Sequence, residues 1–571
     1  MTPQLLPAPR RLRLLGGWLA GSAAPRLESG AGSPESYSLT VDRDVRIAAA
    51  DEVGLLHGQR TLRQLRHQYG ARLPRLRIED APAFPNRGYS LDISRGRVPT
   101  LASLKTLVGK LSALKVNRLQ LYIEHVFDFG FDPDIGAGSD PLTARDIREL
   151  DRHCRARHVE LIPCLACFGH MGKALSLPRY RGLAEVEWPA RDWESATWRQ
   201  RLRGATLNPR RPESRRLIRR MLDEFLPLFS SARFNMCGDE TYDLGRGVNA
   251  GWVRRRGVAA LYLEHLEFVR GVAREHGKQL MFWGDVMQQH PESIRRVPRD
   301  CIALDWGYER HTDFEKAGRF IRAGIETWVC PSTRGYKVVF NEVEEARANI
   351  AGYARTGRRL GASGLLVTDW GDMGHFNLPA ASLHGLALGA AMGWNPDSSE
   401  GAVFDRAWSI QALGDPAGKA AALFAQAGSA GWARWPLLLQ GPDADPPPPE
   451  AARLAARQAA ACRRRTRRFA GLRPNGTLLS NDVEELAVAA EAMELTAQRL
   501  ALGPGRARPG QKPALNRRRI VVFIRALESF FRRYARVWTK TSRPAGLKDL
   551  ARAFRQAARS WREWAKKEGT P

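Results

Sequence analysis

Between Arg87 and Pro396 short apolar runs alternate with amphipathic segments, and this alternation restricts the fold more than any other feature of the chain. Runs near 88–93, 117–123, 159–166, 233–238, 279–284, 301–306, 325–330 and 364–369 have strand length and are separated by helical periodicity. Strands and helices in alternation build a parallel sheet, because each parallel pair needs a crossover. The first crossover is explicit. Thr100 is a helix N-cap residue type, and Leu101, Leu104, Leu107, Val108, Leu111 and Leu114 fall on one stripe. Eight such units predict an α/β fold of the (β/α)8 TIM-barrel type, with its site at the C-terminal strand ends. A doubly wound sheet is the alternative, but it would carry a Gly-rich phosphate loop after its first strand. Ser94-Arg-Gly-Arg97 stands there instead.

The flanks read differently. Tyr37–Val41 and Val45–Ala49 predict two strands across an Asp42-Arg-Asp44 turn. Leu55, Leu56, Leu62 and Leu65 predict a helix over about 52–69, and Leu73–Ile78 another strand. The Pro-punctuated Glu79–Asn86 then separates this small α/β unit from the barrel. After Trp394-Asn-Pro396 the strand signals stop, and helices follow, parted by Pro- and Gly-rich stretches at 441–449 and 503–510. The expected domains are therefore 1–86, 87–396 and 397–571.

Charge enters the argument through the last of these. The chain carries a net +29, and residues 451–571 hold 28 Lys and Arg against 9 Asp and Glu. One reading is a nucleic-acid surface. The favoured one is a helical support, in which Arg stems cover Leu527, Phe530, Phe531, Tyr534 and Trp538 while the heads stay in water. Seven scattered Cys make no disulfide framework, and Cys164-Leu-Ala-Cys167 lacks a second pair, so core thiols are expected and no metal or cofactor is called for. No run approaches the ~20 apolar residues of a membrane helix. The Arg10–Ala24 stretch has a leader-like apolar core, broken by Gly16-Gly17; it is read as part of the folded chain, and the location as cytoplasmic.

Polar residues collect at the expected strand ends. Strand one offers Asp92 and Arg95, strand two Glu124 and His125, strand three Phe168-Gly-His170. Strand four ends in Gly238-Asp-Glu240, two adjacent carboxylates that a relaxed strand end can bring to one pocket. Trp283-Gly-Asp285, Trp306-Gly-Tyr308 and Trp370-Gly-Asp372 repeat one pattern at three further ends. Aromatic walls with carboxylates among them suit a sugar, whose C–H faces stack and whose hydroxyls bind acids. The connection over about 167–232, with Trp188, Trp193 and Trp198, is long enough to wall the site.

From about Tyr37 to Trp394 the chain resembles glycoside hydrolase family 20, the β-N-acetylhexosaminidases. The resemblance rests on Ile78-Glu-Asp-Ala-Pro-Ala-Phe-Pro85, Gly88-Tyr-Ser-Leu-Asp-Ile-Ser-Arg95, Leu207-Asn-Pro209 and Cys237-Gly-Asp-Glu240, in that order. It implies a zincin-like accessory fold without metal ligands before the barrel. It also implies substrate-assisted hydrolysis of terminal β-linked GlcNAc or GalNAc, with retention and an oxazolinium intermediate. Glu240 would be the general acid and base and Asp239 the residue orienting the acetamido group. Arg95 and Asp372 would hold ring hydroxyls, and Trp283, Trp306 and Trp370 would enclose the acetamido methyl. The family's acetamido-binding Tyr has two candidates, Tyr308 and Tyr336. Asp239 is expected to raise the pKa of Glu240, as a negative neighbour does. Ile123-Glu-His-Val126 and Cys167-Phe-Gly-His170 stand closer to the intracellular-type branch. The implied partner is an N-acetylhexosamine-containing glycan, with neither membrane nor nucleic acid. The rivals are another barrel glycosidase, an inactive sugar-binding relative, and a nucleic-acid-binding protein.

Overall fold

The computed structural model describes the chain except residues 1, 22–23, 204, 398–400, 430, 432, 443–448, 475–477, 503–516 and 568–571. Most of the Pro-rich stretch at 441–449 and all of 503–510 thus lie outside the described residues.

Five strands form the N-terminal sheet: β1 (Arg11–Ala20), β2 (Arg26–Ser29), β3 (Tyr37–Val41), β4 (Val45–Ala49) and β5 (Arg72–Asp80), in the order β1-β5-β3-β4-β2. The predicted helix spans Glu52–Tyr69; Asp51 caps it by accepting from the Gly54 N–H, and Leu62 and Leu65 bury against the sheet. The leader-like stretch is β1, antiparallel to β5, with its register broken between Leu14 and Trp18 where Gly16 and Gly17 take φ of 80° and 77°. That strand and β2 carried no clear alternation, and their side chains are mostly exposed.

The barrel strands are β6 (Asn86–Asp92), β7 (Arg118–Tyr122), β8 (Glu160–Ile162), β9 (Arg233–Asn235), β10 (Gln279–Trp283), β11 (Ile302–Trp306), β12 (Glu326–Cys330) and β13 (Gly364–Asp369). All pair in parallel, in the order β8-β7-β6-β13-β12-β11-β10-β9. The last seam, between β8 and β9, closes through isolated contacts. Leu165 donates to the Asn235 carbonyl at 3.0 Å, and the Asn235 N–H to the Pro163 carbonyl at 2.9 Å. The run predicted as a strand to residue 166 ends at Ile162, because Pro163 has no N–H to continue the ladder. Inside, Tyr122, Met281, Trp283, Leu304, Trp328 and Leu366 fill the lumen.

The small domain grips the barrel through one buried polar knot. Asp80 accepts from Tyr37 Oη at 2.7 Å and from Trp394 Nε1 at 2.9 Å, and pairs with Lys115 Nζ at 3.1 Å. Helices make up the described part of the C-terminal region, among them Ser480–Ala501, Arg517–Thr541 and Ala545–Lys567. On Arg517–Thr541 the residues Leu527, Phe530, Tyr534 and Trp538 are buried and Phe531 is half-buried, while Arg525, Arg532 and Arg536 are exposed. This face docks on the barrel, where Tyr534 Oη donates to the Phe376 carbonyl at 2.8 Å. The chain then returns to the first barrel loop, Arg543 N–H donating to the Val98 carbonyl at 2.7 Å.

Candidate active site

The site is built on the abrupt end of β9. Beyond Asn235 the backbone takes left-handed values at Cys237 (φ 62°), Gly238 (φ 78°) and Glu240 (φ 50°). Left-handed backbone is rare outside glycine and costs free energy, so surrounding contacts must hold it. Here Cys237 donates to Asn235 Oδ1 at 2.9 Å, and Glu240 to Asp285 Oδ2 at 3.0 Å. A Cβ on Gly238 would lie 2.8 Å from Tyr262 Oη, so glycine is required by space as well as by φ. The result is that Asp239 and Glu240, which would point apart on a regular strand, share one pocket.

His170 joins them from the connection that follows β8, which ends at Ile162. Its Nε2 lies 3.6 Å from Asp239 Oδ2 and 3.5 Å from Glu240 Oε2, and its Nδ1 lies 3.9 Å from Glu124 Oε1. At these lengths the contacts are ionic rather than formed hydrogen bonds. Burial lowers the pKa of His170, but Asp239 and Glu240 outweigh it and raise it to about 10. The converse holds for Glu240: burial pushes its pKa up, and His170 more than reverses this, to about 2. The expectation that Asp239 would raise Glu240 is therefore not met, because the imidazolium is the stronger neighbour. Asp285 is pushed up to about 7 by burial and then by Asp239, and burial also raises the carboxyls of Glu124 and Asp372.

A cavity of about 460 Å³, within the usual size of a small-ligand site, opens over the pair. Nine of the ten residues singled out in the sequence line it, and the tenth, His170, lies behind the two carboxylates. Trp283 is buried, its ring centre 5.9 Å from that of Trp370. Trp306 stacks on Tyr308 at 4.9 Å, and Trp370 Nε1 donates to Tyr308 Oη at 2.7 Å. Arg334 donates to Tyr336 Oη. Arg95 is clamped among Asp92 at 3.2 Å, Glu124 at 3.4 Å and Asp372 at 3.8 Å, with its guanidinium over Tyr122 and Trp370. Three buried polar atoms among the described residues have no hydrogen-bond partner and belong to residues lining this cavity: Arg95 Nε, Asp239 Oδ1 and Trp283 Nε1.

Other residues belong to the same machinery. Asp285, Asp92 and Glu124 stood at predicted strand ends, yet only the fold shows that they brace Glu240 and Arg95. Arg199, Leu202, Arg203, Tyr242 and Lys337 also line the cavity. The first three come from the long connection after β8, which does wall the site, but no local pattern marked them. All seven Cys are buried and free, and no group of His, Cys, Asp or Glu among the described residues could hold a metal ion.

The comparisons with known proteins agree with this layout. The family model described as glycosyl hydrolase family 20, catalytic domain, matches residues 133–377, and that described as glycosyl hydrolase family 20, domain 2, matches residues 21–81. The first takes in the stretch from His170 to Asp372; Arg95 lies outside it. A beta-hexosaminidase of Vibrio furnissii is 27% identical over 49% of this chain and 49% of its own length, so the chain spans about half of that relative. Hexosaminidase D of Bos taurus is 23% identical over 50% of this chain and 84% of its own. The chitobiase structure from Flavobacterium johnsoniae superposes with a TM-score of 0.58 at 16% identity, covering 91% of this chain and 95% of that one, a likeness of fold. The two family models together take in more than half of the 571 residues, one on the N-terminal sheet and one on the barrel that holds the carboxylate pair. The chain belongs to glycoside hydrolase family 20.

Proposed function

We propose that the protein is a retaining exo-β-N-acetylhexosaminidase that removes terminal β-linked GlcNAc or GalNAc with the substrate's own acetamido group as nucleophile. The observation that carries this reading is the buried, unpartnered Oδ1 of Asp239, a residue that lines one cavity with Trp283 and Trp370. A buried acceptor without a donor is costly, and an acetamido N–H supplies the missing donor while its methyl meets the rings. The paired acids support it too. Glycosidases of the two-carboxylate type set their acids on opposite sides of the bond, at least ~5 Å apart, and family 20 is among those that depart from the scheme. Asp239 and Glu240 are neighbours that meet one imidazole, which suits different tasks on one side of the sugar.

In the first step the acetamido carbonyl oxygen bonds to the anomeric carbon as the bond to the leaving oxygen breaks. The leaving oxygen takes a proton from Glu240, and the positive charge that develops on the oxazolinium ring lies against Asp239. In the second step Glu240 takes a proton from water, which attacks the anomeric carbon and restores the acetamido group with retention. The His170–Glu240 pair holds the proton needed. Glu240 has 29% of its side chain exposed, so a sugar covering it removes water, raises its pKa and draws the proton across 3.5 Å from His170. Arg95 and Asp372 bind ring hydroxyls. Tyr308 and Tyr336 each already accept a hydrogen bond, which leaves either O–H to donate to the acetamido oxygen.

The test is release of 4-nitrophenol from the β-GlcNAc, β-GalNAc and β-glucoside derivatives. Turnover of the two acetamido sugars and not of the glucoside is expected. A glucoside turned over as well as they are would overturn the mechanism.

A further inference from the structure

The leaving-group side of the cavity is basic, and its charges are unmatched. The helix Trp198–Arg203 sets Arg199 and Arg203 four residues apart, on one face. Arg201, between them, is turned away: it pairs with Asp549 at 2.6 Å and donates to the main-chain carbonyls of Trp193 at 2.9 Å and Glu194 at 3.1 Å. Clamped on that side, the helix presents Arg199 and Arg203 to the cavity that holds Asp239 and Glu240. Neither of the two has a carboxylate partner among the described residues, although the surface elsewhere pairs many of its arginines. Like charges at this spacing repel, so the pair disfavours its own helix unless an anion joins it.

Position tells which part of the substrate they meet. The Arg203 guanidinium lies 5.4 Å from the centre of the Tyr242 ring, and the Tyr242 N–H donates to the Glu240 carbonyl at 2.6 Å. On the proposed function, on which this inference rests, Glu240 protonates the leaving oxygen, so the groups beside it face the departing residue. Of the other two cations lining the cavity, Arg95 is already held by Asp92, Glu124 and Asp372, and Lys337 lies near Tyr336 and acts on Asp372. A neutral leaving group gives two unpaired guanidinium groups nothing to do. An anionic one would be repelled by Asp239 and Glu240 without them.

We propose that the leaving-group subsite is specific for an anionic residue, with Tyr242 as the platform for its ring and Arg199 and Arg203 binding its carboxylate or sulfate. The planar guanidinium matches both oxyanions with two parallel hydrogen bonds.

The test uses four disaccharides, GlcNAc β-linked to glucuronate, glucose, 6-sulfated galactose and galactose, with the full chain. Each anionic substrate is expected to exceed its neutral counterpart by about tenfold or more in kcat/KM, chiefly through KM, and the advantage should shrink in about 0.5 M salt. Comparison of the glucuronate and sulfate pairs identifies which anion the subsite takes. In Arg199→Gln/Arg203→Gln the ratio of anionic to neutral should fall towards one; read as a ratio within each protein, it is insensitive to the fraction folded. Calorimetric binding of the same disaccharides to the full chain gives the ratio without turnover. Equal affinity and equal kcat/KM for charged and neutral members overturn the subsite while leaving the proposed hydrolysis intact. Preferential binding of the anionic members without release of GlcNAc would keep the subsite and overturn the hydrolysis.

Discussion

Arg201, in the connection after β8, and Asp549, in the last helix, meet at 2.6 Å across 348 positions of the chain. The pair ties the wall of the cavity to the last of the C-terminal helices. Their side chains are 14% and 38% exposed, and a pair this wet contributes at most about 1 kcal/mol to stability. Asp549→Ala should therefore shift the thermal midpoint little, yet lower kcat/KM for disaccharides several-fold by loosening Arg199 and Arg203. Kinetics and melting measured on one preparation check this. A lowered midpoint with unchanged kinetics would make the strap purely structural.

Glu240→Gln should lower kcat by about 10²–10⁴-fold, the usual worth of a positioned general acid. The loss should shrink for leaving groups that need little protonation. A series of aryl β-GlcNAc substrates of graded leaving-group acidity measures this, and a uniform loss along the series removes Glu240 from the acid role.

Asp239→Asn should reduce kcat more than affinity, because its charge acts on the cation formed at the transition state. A thiazoline mimic of the oxazolinium ion should inhibit the wild type much more tightly than the variant. Equal inhibition constants would mean that Asp239 does not read the intermediate.

His170 and Glu240 predict how stability varies with pH. His170 is raised to about 10 from an ordinary 6.5, with Asp239 and Glu240 overcoming burial, so its protonation stabilises fully below about 6.5 and is lost as pH climbs through 10. Glu240, lowered to about 2 from 4.5 as His170 overcomes burial, stabilises fully above about 4.5 and loses this as pH falls towards 2. The stability gap between wild type and His170→Gln should thus be widest between pH 4.5 and 6.5 and narrow on both sides. Urea unfolding across pH reads it; a gap that does not change with pH leaves His170 neutral.

Asp80→Ala should destabilise the protein by about 3–5 kcal/mol, the cost of stranding one partner of a buried ion pair. The variant leaves Lys115, only 2% exposed, without its carboxylate, and Trp394 Nε1 without its acceptor. Denaturant unfolding measures the loss, and a cost under 1 kcal/mol would mean that the small domain docks on apolar contact alone.

The barrel strands and the carboxylate pair were legible because their signals are local. A strand needs only a short apolar run, a cap only Thr100 before its leucines, and Gly238-Asp-Glu240 lies at one strand's end. The residues predicted for the site converge on one cavity because parallel strands in a barrel all end at the same mouth. What the fold alone decided are contacts between distant segments. No sequence period reports that His170 would face both acids, and that meeting reverses the pKa expected for Glu240. The seam between β8 and β9 depends on Pro163, whose missing N–H ends the ladder early. Arg199 and Arg203 look like any others among the chain's many arginines until Arg201 is pinned to Asp549 and turns its neighbours inward. Propensity and periodicity act over a few residues and specify the elements. Charge and desolvation act between whatever the fold brings within a few ångströms, and that only the tertiary structure decides.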